Sequence, residues 1–153
     1  MTVYISRKVA IAVLLSVLGT VQAASNESLT FQPACGISAR VAVAGPRLTY
    51  EVSKAKATNS AALTVETEKA VHITVADYNF DGYKDFAAWH IDDGMGTYSI
   101  FRIFVYVPKA NDFVEITPQC GDEFINIVLN VKKHTLSNSF FADNRMKSCS
   151  KKY

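Results

Sequence analysis

Asp77, Asn79, Asp81 and Asp85 occupy positions 1, 3, 5 and 9 of the stretch Asp77-Tyr78-Asn79-Phe80-Asp81-Gly82-Tyr83-Lys84-Asp85, with Gly82 at position 6. Alternate residues of an extended loop point to one side, so three carboxylates and an amide oxygen are expected to converge. Gly82 permits the sharp turn, and the Tyr83 carbonyl adds another oxygen. Hard oxygen donors at these spacings are what Ca²⁺ prefers. An EF-hand would carry Glu at position 12 and helices on both sides. Here position 12 is Ala88, and the flanks Val71–Val75 and Phe86–Trp89 read as strands. The stretch therefore reads as a strand-loop-strand calcium site with ligands Asp77, Asn79, Asp81, Tyr83 and Asp85, completed by water or by other residues. The competing reading is a metal-free turn, since Asp, Asn and Gly all favour turns. Three acids within nine residues repel one another without a cation, which favours the metal.

A second stretch, His90-Ile91-Asp92-Asp93-Gly94-Met95-Gly96-Thr97-Tyr98, is polar and glycine-rich and follows one strand later. Its composition is that of an exposed loop, and Tyr is a common interface anchor. Asp92, Met95, Thr97 and Tyr98 are the expected partner contacts. A metal just upstream would fix the root of this loop and lower the ordering cost of binding. Asp92 or Asp93 is also a candidate to complete the calcium shell. An ordinary hairpin loop is the competing reading, its glycines serving turn geometry alone.

Catalytic chemistry finds little support. His72, His90 and His134 show no metal-ligand spacing, and no serine or cysteine sits in a nucleophile motif. Nothing assembles a nucleophile, a base and an orienting group. A non-enzymatic protein is expected.

The elements that must position these loops begin after an export signal. Arg7 and Lys8 precede an apolar run from Val9 to Leu18, and Val21-Gln22-Ala23 fits a small-residue cleavage site. The run is short for a membrane span, which needs about 20 apolar residues. Residues 1–23 are thus expected to be a signal peptide and 24–153 a single domain with no membrane attachment after cleavage. Without Arg7 and Lys8, 14 basic residues face 14 acidic ones. That balance gives no basic excess for nucleic acid. Cys35, Cys120 and Cys149 remain. In an oxidising compartment one disulfide is expected, with one cysteine left over. Spacing does not choose among three pairings; Cys120 with Cys149 is favoured because both lie in the C-terminal segment.

Strand-like segments follow one another along the chain. They run over Ile37–Val43, Leu48–Val52, Ala70–Val75, Tyr98–Val107, Phe113–Ile116, Phe124–Val131 and Thr135–Phe141. Gly45-Pro46, Pro108, Asn111-Asp112 and Lys132-Lys133-His134 separate some of them as turns. Ser53 to Ala62 is small and polar and reads as a loop, and the basic run Arg145–Lys152 reads as a solvated strand or tail. No segment sustains helical periodicity, so the expected class is all-β, an antiparallel β-sandwich or propeller-like sheet packing.

The run Val75–Phe86, the loop after it, Tyr98–Tyr106, Val107-Pro108 to Phe113 and the terminal hairpin with its cysteine resemble a family of small secreted bacterial proteins. The resemblance covers roughly Ala70 to Tyr153. That family carries a calcium-bound DxNxDGxxD loop and includes periplasmic immunity proteins against peptidoglycan-cleaving effectors, similar in structure to periplasmic lysozyme inhibitors. The resemblance implies a periplasmic protein that pushes a loop into the cleft of a peptidoglycan hydrolase. Gly94-Met95-Gly96-Thr97-Tyr98 is the matching loop, although it lacks the Ser-Gly pair of the lysozyme inhibitors. A calcium-stabilised binding or adhesion module for another extracytoplasmic partner is the alternative.

Overall fold

A computed structural model describes residues Asn26–Tyr153. The expected signal peptide at 1–23 lies outside the described residues. The described chain is all-β, two antiparallel sheets packed face to face as a sandwich. The first sheet is a meander of β1 (Asn26–Phe31), β2 (Ile37–Ala44), β3 (Arg47–Lys54) and β4 (Ala57–Thr64). The second contains β5 (His72–Ala76), β6 (Asp85–Ile91), β7 (Ser99–Val107), β8 (Asp112–Ile116), β9 (Phe124–Asn130), β10 (Thr135–Ala142) and β11 (Arg145–Lys152). Its order is β11-β10-β9-β7-β6-β5. β8 shares an edge of β7 with β9: β8 pairs along Ile103–Val107, and β9 pairs only at Ile100 and Phe101. β7 is therefore forked at Arg102.

Strict alternation makes the interface between the sheets. Ile37, Ala39, Val41 and Val43 of β2 are buried, as are Leu48, Tyr50 and Val52 of β3. They pack in one cluster with Ile73, Phe86, Ala88, Phe104, Tyr106 and Phe113. Phe86 and Phe104 stack at 4.7 Å, and Tyr50 and Phe113 meet edge-on at 5.4 Å. Aromatic pairs of this kind add about 0.5–1.5 kcal/mol beyond their buried area. The opposite face of β6–β7 is also covered. Ala87, Ile103 and Val105 pack there with Tyr78, Phe124 and Leu136. β6 thus lies between two cores, and its first four residues are all buried.

Several segments depart from the sequence reading: β1 is not among the expected strands, and His90 and Ile91, expected in the exposed loop, are the end of β6, with His90 buried. The expected loop over Ser53–Ala62 is the end of β3, a tight turn with Ala55 at φ 53°, and most of β4. β4 is an edge strand whose residues 57–60 are all exposed, and only Ala61 and Leu63 pack against the core. Tyr98 lies just before β7 rather than inside it.

Cys120 and Cys149 form a disulfide, Cα to Cα 6.6 Å, and Cys35 is an exposed free thiol. Among the described residues no helix is long and apolar enough to cross a membrane.

Candidate functional site

The 77–85 loop joins β5 to β6, as the strand-like flanks required. Its side chains wrap their oxygens around one piece of backbone. Asp77 accepts the N–H groups of Asp81 (3.1 Å) and Gly82 (2.9 Å). Asn79 Oδ1 accepts the same Asp81 N–H at 3.2 Å, and its Nδ2 donates to Asp81 at 2.8 Å. Asp81 accepts the Tyr83 N–H at 2.9 Å. Gly82 sits at φ 89°, a conformation that glycine adopts without strain. Asp77, Asn79 and Asp81 are therefore brought together on exposed backbone.

Asp85 is not with them. It is fully buried, and each of its oxygens accepts a backbone N–H: Tyr78 at 2.8 Å and Tyr106 at 2.9 Å. Burial pushes its carboxyl up to about 7, against the pull of the two donors and with a further push from Asp81 and Asp77. Its place is a pin between the loop and β7. Among the described residues no group of three His, Cys, Asp or Glu is gathered to hold a metal. What the loop does supply is an oxygen set suited to a hard cation: two carboxylates and an amide, with water needed to complete the shell.

The loop also ties distant parts of the chain together. Lys84 donates its N–H to the Pro33 carbonyl between β1 and β2 at 2.9 Å. Phe80 stacks on His134 at 5.4 Å and 8°, and lies 6.0 Å from the Tyr153 ring.

The 92–98 loop sits at the other end of β6. Seven strand residues at ~3.3 Å each separate the two loops by ~20 Å. The expectation that Asp92 or Asp93 completes the calcium shell, and that the metal fixes the root of this loop, is corrected by that distance. The loop is organised from within. Asp92 accepts the N–H groups of Gly96 (3.2 Å), Thr97 (2.6 Å) and Tyr98 (2.6 Å), and its own N–H bonds the Tyr98 carbonyl at 2.8 Å. These donors, that of Tyr98 foremost, hold the Asp92 carboxyl below the usual range. Asp93 accepts Thr67 Oγ1 and the Glu68 N–H, both at 3.0 Å. Asp92 thus turns toward its own backbone, and Thr97 lies exposed beside it. Met95 projects at 77% exposure, and half-buried Tyr98 meets Phe141, itself 57% exposed, edge-on at 5.9 Å.

Sequence reasoning missed a third feature at this same end. A cleft of about 270 Å³ opens where β8 and β9 part along β7. Its residues come from five separated segments, and no local motif announces it.

No protein-family model matches the chain, and no curated protein or solved structure matches it.

Proposed function

We propose that the chain is an exported, periplasmic inhibitor or immunity protein that blocks a peptidoglycan hydrolase effector by seating the 92–98 loop in the enzyme's cleft. The observation that carries this reading is the self-organised loop. One carboxylate gathers three successive backbone N–H groups, so Met95 and Tyr98 project from a fixed frame. A loop ordered before binding loses less entropy on association. Tyr98 brings a rigid, amphipathic ring of the kind that dominates binding hot spots. Asp92 supports this contact by shaping the loop, while Met95, Thr97 and Tyr98 meet the partner.

Ca²⁺ at Asp77, Asn79, Asp81 and the Tyr83 carbonyl belongs to the same proposal, with Asp85 anchoring the loop from below. The ion's work is structural. It screens Asp77 from Asp81 and stiffens the joint that Phe80 and Lys84 make with His134, Tyr153 and Pro33. The disulfide and the sequence of the first 23 residues support an extracytoplasmic location.

One observation favours the second reading, a calcium-stabilised binding module for another partner. Both acids of the loop are spent on hydrogen bonds inside the chain, leaving an apolar contact surface that is not specific to a sugar cleft. Co-purification with the product of the adjacent gene, with and without chelator, separates the two. Recovery of the hydrolase with its activity blocked supports the inhibitor. Recovery of a surface glycan or adhesin without any hydrolase supports the module.

A further inference from the structure

A sheet edge presents a row of unpaired backbone groups, and folded proteins guard it with charge, proline, bulges or brevity. Among the described residues, every edge but one is guarded in this way. β11 carries Arg145, Lys147, Lys151 and Lys152. β5 and β8 are five residues long, and β8 adds Asp112 and Glu115. β1 turns Glu27 toward β5, where its carboxylate accepts the Ile73 N–H at 3.3 Å. β4 has none of these devices. It runs for eight residues of Ala, Thr, Asn, Ser and Leu alone, in unbroken register on β3.

That register fixes which groups face away from the sheet. The two-residue turn Ala55-Lys56 closes on Lys54 and Ala57, the hydrogen-bonded pair of such a hairpin. Alternation then points the N–H and C=O of Ala57, Asn59, Ala61 and Leu63 at β3. Those of Thr58, Ser60, Ala62 and Thr64 point outward. The Thr64 carbonyl fits this phase, since it accepts from Arg102 Nη1 at 2.8 Å, and its second lone pair stays open.

There is room beside the strand, and the strand is held. Asn59 shares a face with buried Val52, yet it and Ala57 are exposed, so this half of β4 overhangs the sandwich. Asn59 Nδ2 anchors it by donating to the Ala110 and Asn111 carbonyls at 3.3 and 3.1 Å.

We infer that β4 pairs antiparallel with β4 of a second copy of this chain, joining the two four-stranded sheets across a two-fold axis. Matching the outward-facing groups from Thr58 to Thr64 with themselves places the axis at Ala61. Thr58 then lies opposite Thr64 of the second copy and Ser60 opposite Ala62, each pair exchanging two backbone hydrogen bonds. The facing side chains are small and exposed, and Thr–Thr is a favourable cross-strand pair. The same register brings Lys56 of each turn toward Glu66 of the other copy, so opposite charges meet at both ends. This self-complementarity makes a second copy the occupant rather than a foreign strand. The inference goes beyond the inhibitor reading and stands whether or not a hydrolase binds.

The interface is small, so the test is sedimentation equilibrium from ~1 µM to ~1 mM protein. Cys35→Ser is present throughout, so that the exposed thiol cannot cross-link two copies. The average mass is expected to climb from monomer toward dimer, and amide exchange at Ser60 and Ala62 to slow in step. Ser60→Lys with Ala62→Lys, both at exposed positions, sets lysines against each other across the axis and should weaken the dimer at least about tenfold. Ser60→Glu with Ala62→Glu should do the same, and an equimolar mixture of the two variants should dimerise again. Ser60→Pro, which deletes only an outward N–H, should weaken the dimer without added charge. A monomer at every concentration would overturn the inference and leave β4 to a foreign strand. Dimers indifferent to the lysines and to the proline, or a mixture that stays monomeric, would overturn it as well.

Discussion

Asp85 and Asp92 do the same chemical work at opposite ends of β6. Each collects backbone N–H groups on a carboxylate, and the environments drive their acidities apart. Asp85 lies between two cores, where the cost of desolvation outweighs its two donors and raises the carboxyl to about 7. Asp92 lies at the wet rim, where its donors outweigh desolvation and lower it. An acid placed in the core joins elements far apart in sequence, here the start of the 77–85 loop and β7. An acid placed at the rim shapes only its own loop. The core position carries the fold, and the rim position carries a surface.

The largest expected effect breaks the core half of this contrast. Asp85→Ala leaves the Tyr78 and Tyr106 N–H groups buried without acceptors, and each orphaned donor costs about 1–3 kcal/mol. Urea unfolding should show a loss of ~2–5 kcal/mol, or no folded protein at all. Asp85→Asn keeps one acceptor but turns an amide N–H₂ toward the other donor, so it should fall between Ala and wild type. A stability equal to wild type for Asp85→Asn would show that one hydrogen bond suffices.

Next is the metal. On the proposed calcium site, Ca²⁺ at a hundredfold excess over its dissociation constant should stabilise the folded chain by ~2.7 kcal/mol through linkage. Asp81→Ala should lower the melting temperature and remove its dependence on calcium. Identical melting curves of the wild type with and without chelator would defeat the metal reading and leave a self-bonded turn.

The relation between these regions was only partly legible in the sequence. The DxNxDG spacing correctly put Asp77, Asn79 and Asp81 on one loop with a left-handed Gly82. Position 9 was beyond it, because an Asp facing an ion and an Asp facing two buried N–H groups are the same letter. The two loops are neighbours along the chain, yet a strand is a spacer, and β6 holds them apart at its two ends. β4 escaped notice because its first four residues, Ala, Thr, Asn and Ser, face water, and the alternation of Ala61 and Leu63 at its end is too short to read. The cleft at Arg102 depends on β8 and β9 sharing one edge of β7, a pairing set by tertiary packing. The all-β class and the Cys120–Cys149 pair were within reach, the first through its turn punctuation and alternating strands such as β2.

At the rim the effects should fall on binding and local order. Tyr98→Ala removes the ring that meets Phe141 and should weaken partner binding at least about tenfold with little change in global stability. Undiminished binding would move the contact surface away from the loop. Asp92→Ala should leave the unfolding midpoint nearly unchanged but speed amide exchange at Gly96, Thr97 and Tyr98 by about tenfold or more. Acid should do the same to the wild type. The folded-state carboxyl is depressed below its ordinary 3.8, so the order it confers is complete above that pH. It is lost as pH falls through the lower folded value. Exchange-corrected protection of those three amides down to pH 2 gives the check, and protection independent of pH would mean that the glycines alone set the loop.

Inhibition itself tests the central claim most directly. The lysis of purified cell walls by peptidoglycan hydrolases, including any encoded beside this chain, can be followed by turbidity with the wild type and with Met95→Ala combined with Tyr98→Ala. The expected result is complete inhibition at a stoichiometric amount of wild type, and restored lysis with a double variant whose melting curve is unchanged. Full inhibition by the double variant, or indifference of every such hydrolase to the wild type, would contradict it.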